Sequence, residues 1–173
     1  MTPLGHASVS YLAGKSCSCL LPAFVIVGGF LPDFDFILLP FNFFNELHRK
    51  VSHNIFFILL FSGFIAYFQK CGKKKWSVFF SLILGGFLHL FIDSIMDTNP
   101  SNGIGVAAFW PVWEGYVSPF NIATKTSETI NWNQPFKMIQ YGSRYLIYEI
   151  PLLFLAILII IIKRDYAILA KKT

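Results

Sequence analysis

Charge is scarce in this chain. Only 13% of its 173 residues are Asp, Glu, Lys or Arg, where a soluble globular domain carries roughly a quarter. Hydrophobic residues make up 55%, among them twenty phenylalanines. A single domain this small cannot hide so much apolar surface from water, so lipid is the expected solvent. Cysteine is also scarce. Cys17, Cys19 and Cys71 are an odd set, Cys17 and Cys19 stand too close for an unstrained bridge, and no Cys-x-x-Cys spacing occurs. Neither a disulfide framework nor a cysteine metal site is expected, and Cys17 and Cys19 read as small buried residues. No basic residue precedes Lys15, so a cleaved signal peptide is not expected. Without an internal repeat or low-complexity linker, the chain reads as one domain over residues 1–173.

The net charge of +5 does not point to nucleic acid, because the basic residues flank apolar runs. Lys70, Lys73, Lys74 and Lys75 border one run, and Lys163, Arg164, Lys171 and Lys172 border another. Membrane proteins mark their cytoplasmic side in this way. The partner this predicts is the lipid bilayer. Four stretches are apolar enough to enter it: Leu20–Leu31 (followed by Pro-Asp-Phe-Asp and a second run, Phe36–Phe44), Asn54–Phe68, Ser77–Met96 and Tyr145–Ile162. The expected fold is all-α, a multi-pass membrane helical bundle of about four membrane helices, with residues 145–162 as a C-terminal anchor. Thr2 to Gly14 reads as a short helix, paired with Leu20–Leu31 as a re-entrant hairpin. Placing the basic loop 69–75 and the C-terminus in the cytoplasm sends Asn54–Phe68 inward, Ser77–Met96 outward and Tyr145–Ile162 inward. The segment 97–144, with Trp110, Trp113, Tyr116, Trp132 and Tyr141, then lies against the outer interface.

Ionisable residues within apolar segments are functional candidates, because each is costly there unless paired or hydrated. His89 and Asp93 are four apart and share a helix face, which Asp97 continues one turn on. Gly85 and Gly86, one turn earlier, allow a neighbouring backbone to approach closely. The alternative is a buried His–Asp hydrogen bond that only fixes packing. Asp33 and Asp35 follow Pro32, which stops the preceding helix; an extended backbone there sends both carboxylates to one side. Either might instead cap a helix starting at Phe36. In His48-Arg-Lys-Val-Ser-His53, Ser52 reads as an N-cap, His53 opens the helix 54–68, and His48 lies in the loop before it; each could equally be a surface histidine. The lysine-based orientation brings Asp33, Asp35, His53, His89, Asp93 and Asp97 to one side at similar depth, toward the outer face. Four histidines with several carboxylates suit zinc, and after it manganese or iron, and the ligand number fits two divalent ions. Such a pair serves ester or phosphoester hydrolysis, with Asp35 or Asp97 as general base.

The order Gly5-His6, Leu31-Pro32-Asp33-x-Asp35, His48-Arg49-x-x-Ser52-His53, His89-x-x-x-Asp93 and Phe109-Trp110-Pro111 resembles the YdjM-like family of inner-membrane metal-dependent hydrolases. The match covers residues 5 to 120. The resemblance implies a distant relation to zinc-dependent phospholipase C and single-strand nucleases, and a lipid or other phosphoester substrate. It also implies His6, Asp33, His48, His53, His89 and Asp93 as metal ligands; His6 rests on it chiefly. Two segments depart from the family pattern. His-Arg-Lys-Val-Ser-His-Asn stands where His-Arg-Gly-x-Thr-His-Ser is usual, and Asp97-Thr98-Asn99-Pro100 replaces a Thr-x-x-Gly. The leading expectation is a membrane-bound metal-dependent hydrolase. The main rival is a membrane metal-ion binding or transport protein, and a third reading is a scaffold with structural metal.

Overall fold

Proline opens three of the first elements, in first-turn positions where its missing N–H costs nothing. These are helix α1 (Pro3–Ser16), helix α2 (Pro22–Phe30) and a 3-10 segment (Pro32–Leu38). The computed structural model describes residues 2–41, 43–48, 50–69, 72–96, 104–119, 134–144 and 146–169. A single turn, α3 (Phe44–Leu47), precedes α4 (Ile55–Tyr67) and the long α5 (Gly72–Met96); α6 (Pro135–Ser143) and α7 (Leu146–Leu169) follow. The described residues contain no strand, only an isolated antiparallel bridge between Val106 and Val117.

Two helices have the length and composition to cross a membrane, Lys74–Met96 within α5 and Leu146–Lys163 within α7. The apolar α4 has 13 residues and α2 only nine, which at 1.5 Å per residue reach about 20 and 14 Å, short of a hydrocarbon core of about 30 Å. The expected second run Phe36–Phe44 is not a helix continuing from α2, since the 3-10 segment ends at Leu38. Most of α7 faces outward, with Ile147, Ile150 and Phe154 at least 59% exposed. A stripe of that kind is covered by lipid in a membrane protein.

Glycines decide how the bundle packs. A Cβ on Gly28 would overlap the Leu82 backbone, and one on Gly85 would overlap the Val25 backbone, so α2 and α5 cross backbone against backbone. Gly86 serves the other neighbour, where a Cβ would stand 2.7 Å from the Ile58 side chain of α4. On the far side of α2, α1 packs antiparallel, with Gly14 against Pro22 and Val25 and Gly29 against Ser10. The expected pairing of the first two helices is therefore observed. Alanine at Gly85 is expected to destabilise the protein by roughly 1–3 kcal/mol, because overlap with backbone outweighs its better helix propensity. Thermal unfolding of Gly85→Ala checks this; unchanged stability would mean that α2 and α5 are not held at backbone contact.

Local details differ from expectation in three places. Residues 32–38 wind into a 3-10 helix rather than an extended strand; at three residues per turn, Asp33 and Asp35 then diverge. Neither caps a helix. The N-cap of α4 is Asn54 rather than Ser52, and its Oδ1 accepts from the Phe57 N–H at 2.7 Å while its Nδ2 donates to the Lys50 and Val51 carbonyls. Ser52 is left free for another role. Cys17 and Cys19 are not buried: they lie in the turn between α1 and α2, where Cys19 is exposed. Cys71 lies outside the described residues.

Candidate metal centre

All four histidines are at most 2% exposed, so none is a solvated loop residue. They converge where α1, the 3-10 segment, the start of α4 and the last turns of α5 meet. At 1.5 Å per residue His89 lies about 21 Å along α5 from Lys75, so the centre sits at the end of the bundle opposite the lysine-rich turn. The backbone contact at Gly28 and Gly85 carries His89, one turn further along α5, against α2. There its Nδ1 lies 2.6 Å from the Gly29 carbonyl oxygen. A carbonyl only accepts, so Nδ1 donates to it and Nε2 is turned toward the cluster.

A second chain of bonds fixes His53. Ser52 Oγ donates to Asp35 Oδ2 at 2.7 Å, and His53 Nδ1 lies 3.0 Å from Ser52 Oγ. With the hydroxyl proton committed to Asp35, His53 Nδ1–H is the donor to the hydroxyl oxygen, and its Nε2 is also turned toward the cluster. The two Nε2 atoms face each other at 3.3 Å. Asp33 Oδ1 closes a triangle with them at 3.6 Å from each nitrogen, and Asp93 Oδ2 approaches the same pair at 3.6 Å from His53 and 3.3 Å from His89. Imidazole nitrogens and carboxylate oxygens gathered this closely can hold a cation among them. A triangle with such edges is one face of a tetrahedron whose corners lie about 2.0–2.2 Å from its centre, the length of Zn–N and Zn–O bonds.

Asp93 extends the cluster to His6, whose Nε2 stands 3.2 Å from Asp93 Oδ1. The His6 ring stacks on His89 at 3.8 Å between centroids, yet both its buried nitrogens lack a hydrogen bond. Burial, and then the proximity of His89, lower the His6 pKa to about 4, so the ring is neutral at pH 7. Burial likewise lowers the His53 pKa, against the pull of the Asp33 carboxylate beside it. For Asp33 burial acts upward, but His89 and then His53 outweigh it and hold the carboxyl well below its usual range. Neutral imidazoles and ionised carboxylates are the protonation states that bind metal. Three groups can hold an ion by proximity: His6, His89 and Asp93; Asp33, His53 and His89; Asp35, His48 and His53.

His48 and Asp35 stand slightly apart. His48 Nδ1 donates to both Asp35 oxygens at 3.1 and 3.0 Å, and its ring packs against Phe36 and Phe44. The path from Asp35 to the triangle runs through Ser52 and His53. Asp97 lies outside the described residues. Two participants left little trace in the sequence. One is the Gly29 carbonyl, signalled only by the Gly28-Gly29 pair that mirrors Gly85-Gly86. The other is Glu149 of α7, 3% exposed, which accepts from the Thr2 N–H at 2.6 Å and from the Thr2 hydroxyl. It fastens α7 to the residue before α1, one turn from His6.

Ser52→Ala tests the bonding chain. Loss of an outer bond to a ligating histidine costs about 10–100-fold in metal affinity, so a weakening on that scale is expected in a metal titration. An unchanged affinity would show that His53 is oriented without Ser52.

An all-helical chain with two helices able to span a bilayer, and with a buried histidine–carboxylate cluster able to hold metal, defines a membrane protein with a candidate metal centre. The chain belongs to the YdjM inner membrane protein family, whose family model matches residues 1–167. No curated protein and no solved structure matches it.

Proposed function

We propose that this protein is a membrane-bound metal-dependent hydrolase of phosphoesters, with its centre toward the outer face of the inner membrane. The observation that carries the reading is the triangle of His53 Nε2, His89 Nε2 and Asp33 Oδ1, in which both nitrogens are turned inward by bonds on the far sides of their rings. Three protein ligands with a corner left open describe catalytic rather than structural zinc. Asp93, with His6, offers a place for a second ion beside this set. A divalent ion held there supplies a water that ionises near neutral pH and charge for a developing oxyanion. The chain's own groups position it. Asp35 and His48 hold Ser52 and thereby His53, and Gly29 holds His89. Asp35, or Asp97 four residues beyond Asp93 in sequence, is the candidate general base. The lysine-rich turn and the C-terminus face the cytoplasm, and α2 and the short α4 complete four membrane helices by dipping into a locally thinned bilayer.

Turnover of a soluble chromogenic phosphodiester by the zinc-loaded protein in detergent tests the reading. Asp33→Asn is expected to lower turnover at least about a hundredfold, the scale of losing a group that organises transition-state charge. A metal-loaded wild type inert toward phosphoesters, yet moving metal across liposomes, would replace the hydrolase with a carrier.

A further inference from the structure

Beside the centre lies an open groove of about 600 Å³ between α2, the 3-10 segment and α4. Its walls are Val27 and Phe30 of α2 and Phe57, Phe61, Phe64 and Ile65 of α4. Polar side chains line it only at Asp35 and Ser52, the pair whose hydrogen bonds lead to His48 and His53. The groove's polar lining joins it to the centre through the Ser52 hydroxyl, which bonds both Asp35 and His53. From Phe57 to Ile65 it follows α4 for about 12 Å, at 1.5 Å per residue, toward the lysine-rich turn and thus into the depth of the bilayer. Its volume lies within the range of ligand sites, about 300–1,000 Å³. Val27 is 45% exposed and Phe64 61%, so the groove is open along its side, where a bilayer would surround it.

We infer that this groove binds an acyl chain of a membrane lipid and delivers the lipid's phosphoester headgroup to the metal centre. The inference rests on the hydrolase reading for what happens to the headgroup, but the chain site stands on the groove itself. An apolar trough open to lipid accepts a chain without exposing it to water, and the continuity with Ser52 and Asp35 fixes which end of the lipid meets the metal. The substrate class is then a phosphoester amphiphile entering sideways from the bilayer, rather than a soluble ester arriving from water.

The test is photolabelling of the full chain in phospholipid nanodiscs, using a phospholipid with a diazirine near the end of one acyl chain. Adducts are located by peptide mass spectrometry. Adducts on Phe61, Phe64 and Ile65 are expected to exceed those on the outward Phe154 and Ile157 of α7 at least about fivefold, because a held chain dwells where passing chains do not. Val27→Trp, at an exposed wall position, should fill the groove and remove that excess while α7 labelling and metal content stay unchanged. Uniform labelling of α4 and α7, or an excess that survives Val27→Trp, would overturn the inference. Hydrolysis of the soluble phosphodiester separates the two claims. Turnover with uniform labelling sinks the chain site alone, whereas groove labelling without any turnover keeps the chain site and sinks the hydrolase.

Discussion

His89→Ala is expected to reduce the divalent metal bound to the purified protein to background. His89 belongs to two of the three groups able to hold an ion, and its ring is oriented by the Gly29 carbonyl rather than by a neighbour within the cluster. Removing it takes one corner from the triangle and leaves that carbonyl without its bond, a loss of about 1–3 kcal/mol by itself. Because misfolding of such a variant would also abolish metal binding, Asp33→Asn is the companion. It keeps the shape of Asp33, which lies at the more open edge with its side chain 14% exposed. Both variants should lose metal, with Asp33→Asn remaining folded. Metal retained by both would remove the triangle from consideration.

The second large effect concerns stability. Imidazole nitrogens and carboxylate oxygens stand 3.2–3.6 Å apart in the cluster, with Asp33 and Asp93 both against His53 and His89, so a bound cation adds attraction to each of them. At free metal about a thousand times Kd, binding adds about 4 kcal/mol, which for a chain of this size corresponds to roughly 8–16 °C in melting temperature. Chelation in detergent is expected to lower the melting temperature by that amount, and re-addition of zinc should restore it. Asp93→Asn should flatten the response from both sides. It weakens the holo protein by removing a ligand and relieves the apo protein by removing a charge. If the cluster were only a set of packing hydrogen bonds, neither chelator nor zinc would move the transition.

The helical character, the span in α5 and the His89–Asp93 pair were legible in the sequence because each rests on a strong local signal. The signals are a long apolar run, a spacing of four, and Gly85-Gly86 one turn before. The pairing of the first two helices was also expected, and in the structure Gly14, Gly29 and Ser10 mark its contact. What was not legible depends on choices between conformations of nearly equal local energy. Nothing in Pro-Asp-Phe-Asp distinguishes an extended backbone from a 3-10 turn, yet the choice decides that Asp33 faces His53 and His89 while Asp35 faces His48 and Ser52. Both Ser52 and Asn54 are good N-caps; Asn54 also bonds two upstream carbonyls, which leaves the Ser52 hydroxyl for Asp35. Of the four apolar stretches, those in α5 and α7 have the length to cross a bilayer, while α2 and α4 are apolar but shorter. Backbone partners such as the Gly29 carbonyl have no side-chain signature, and the partner of Glu149, Thr2, lies at the other end of the sequence.

The central claim is that buried histidine nitrogens and carboxylate oxygens, rather than cysteines, hold a transition metal. X-ray absorption at the metal edge of the zinc-loaded protein tests it directly. The account predicts only nitrogen and oxygen neighbours at about 2.0–2.2 Å, with the outer scattering of imidazole rings. A sulfur neighbour at about 2.3 Å, or zinc showing the six-oxygen pattern of a hydrated surface ion, would contradict it.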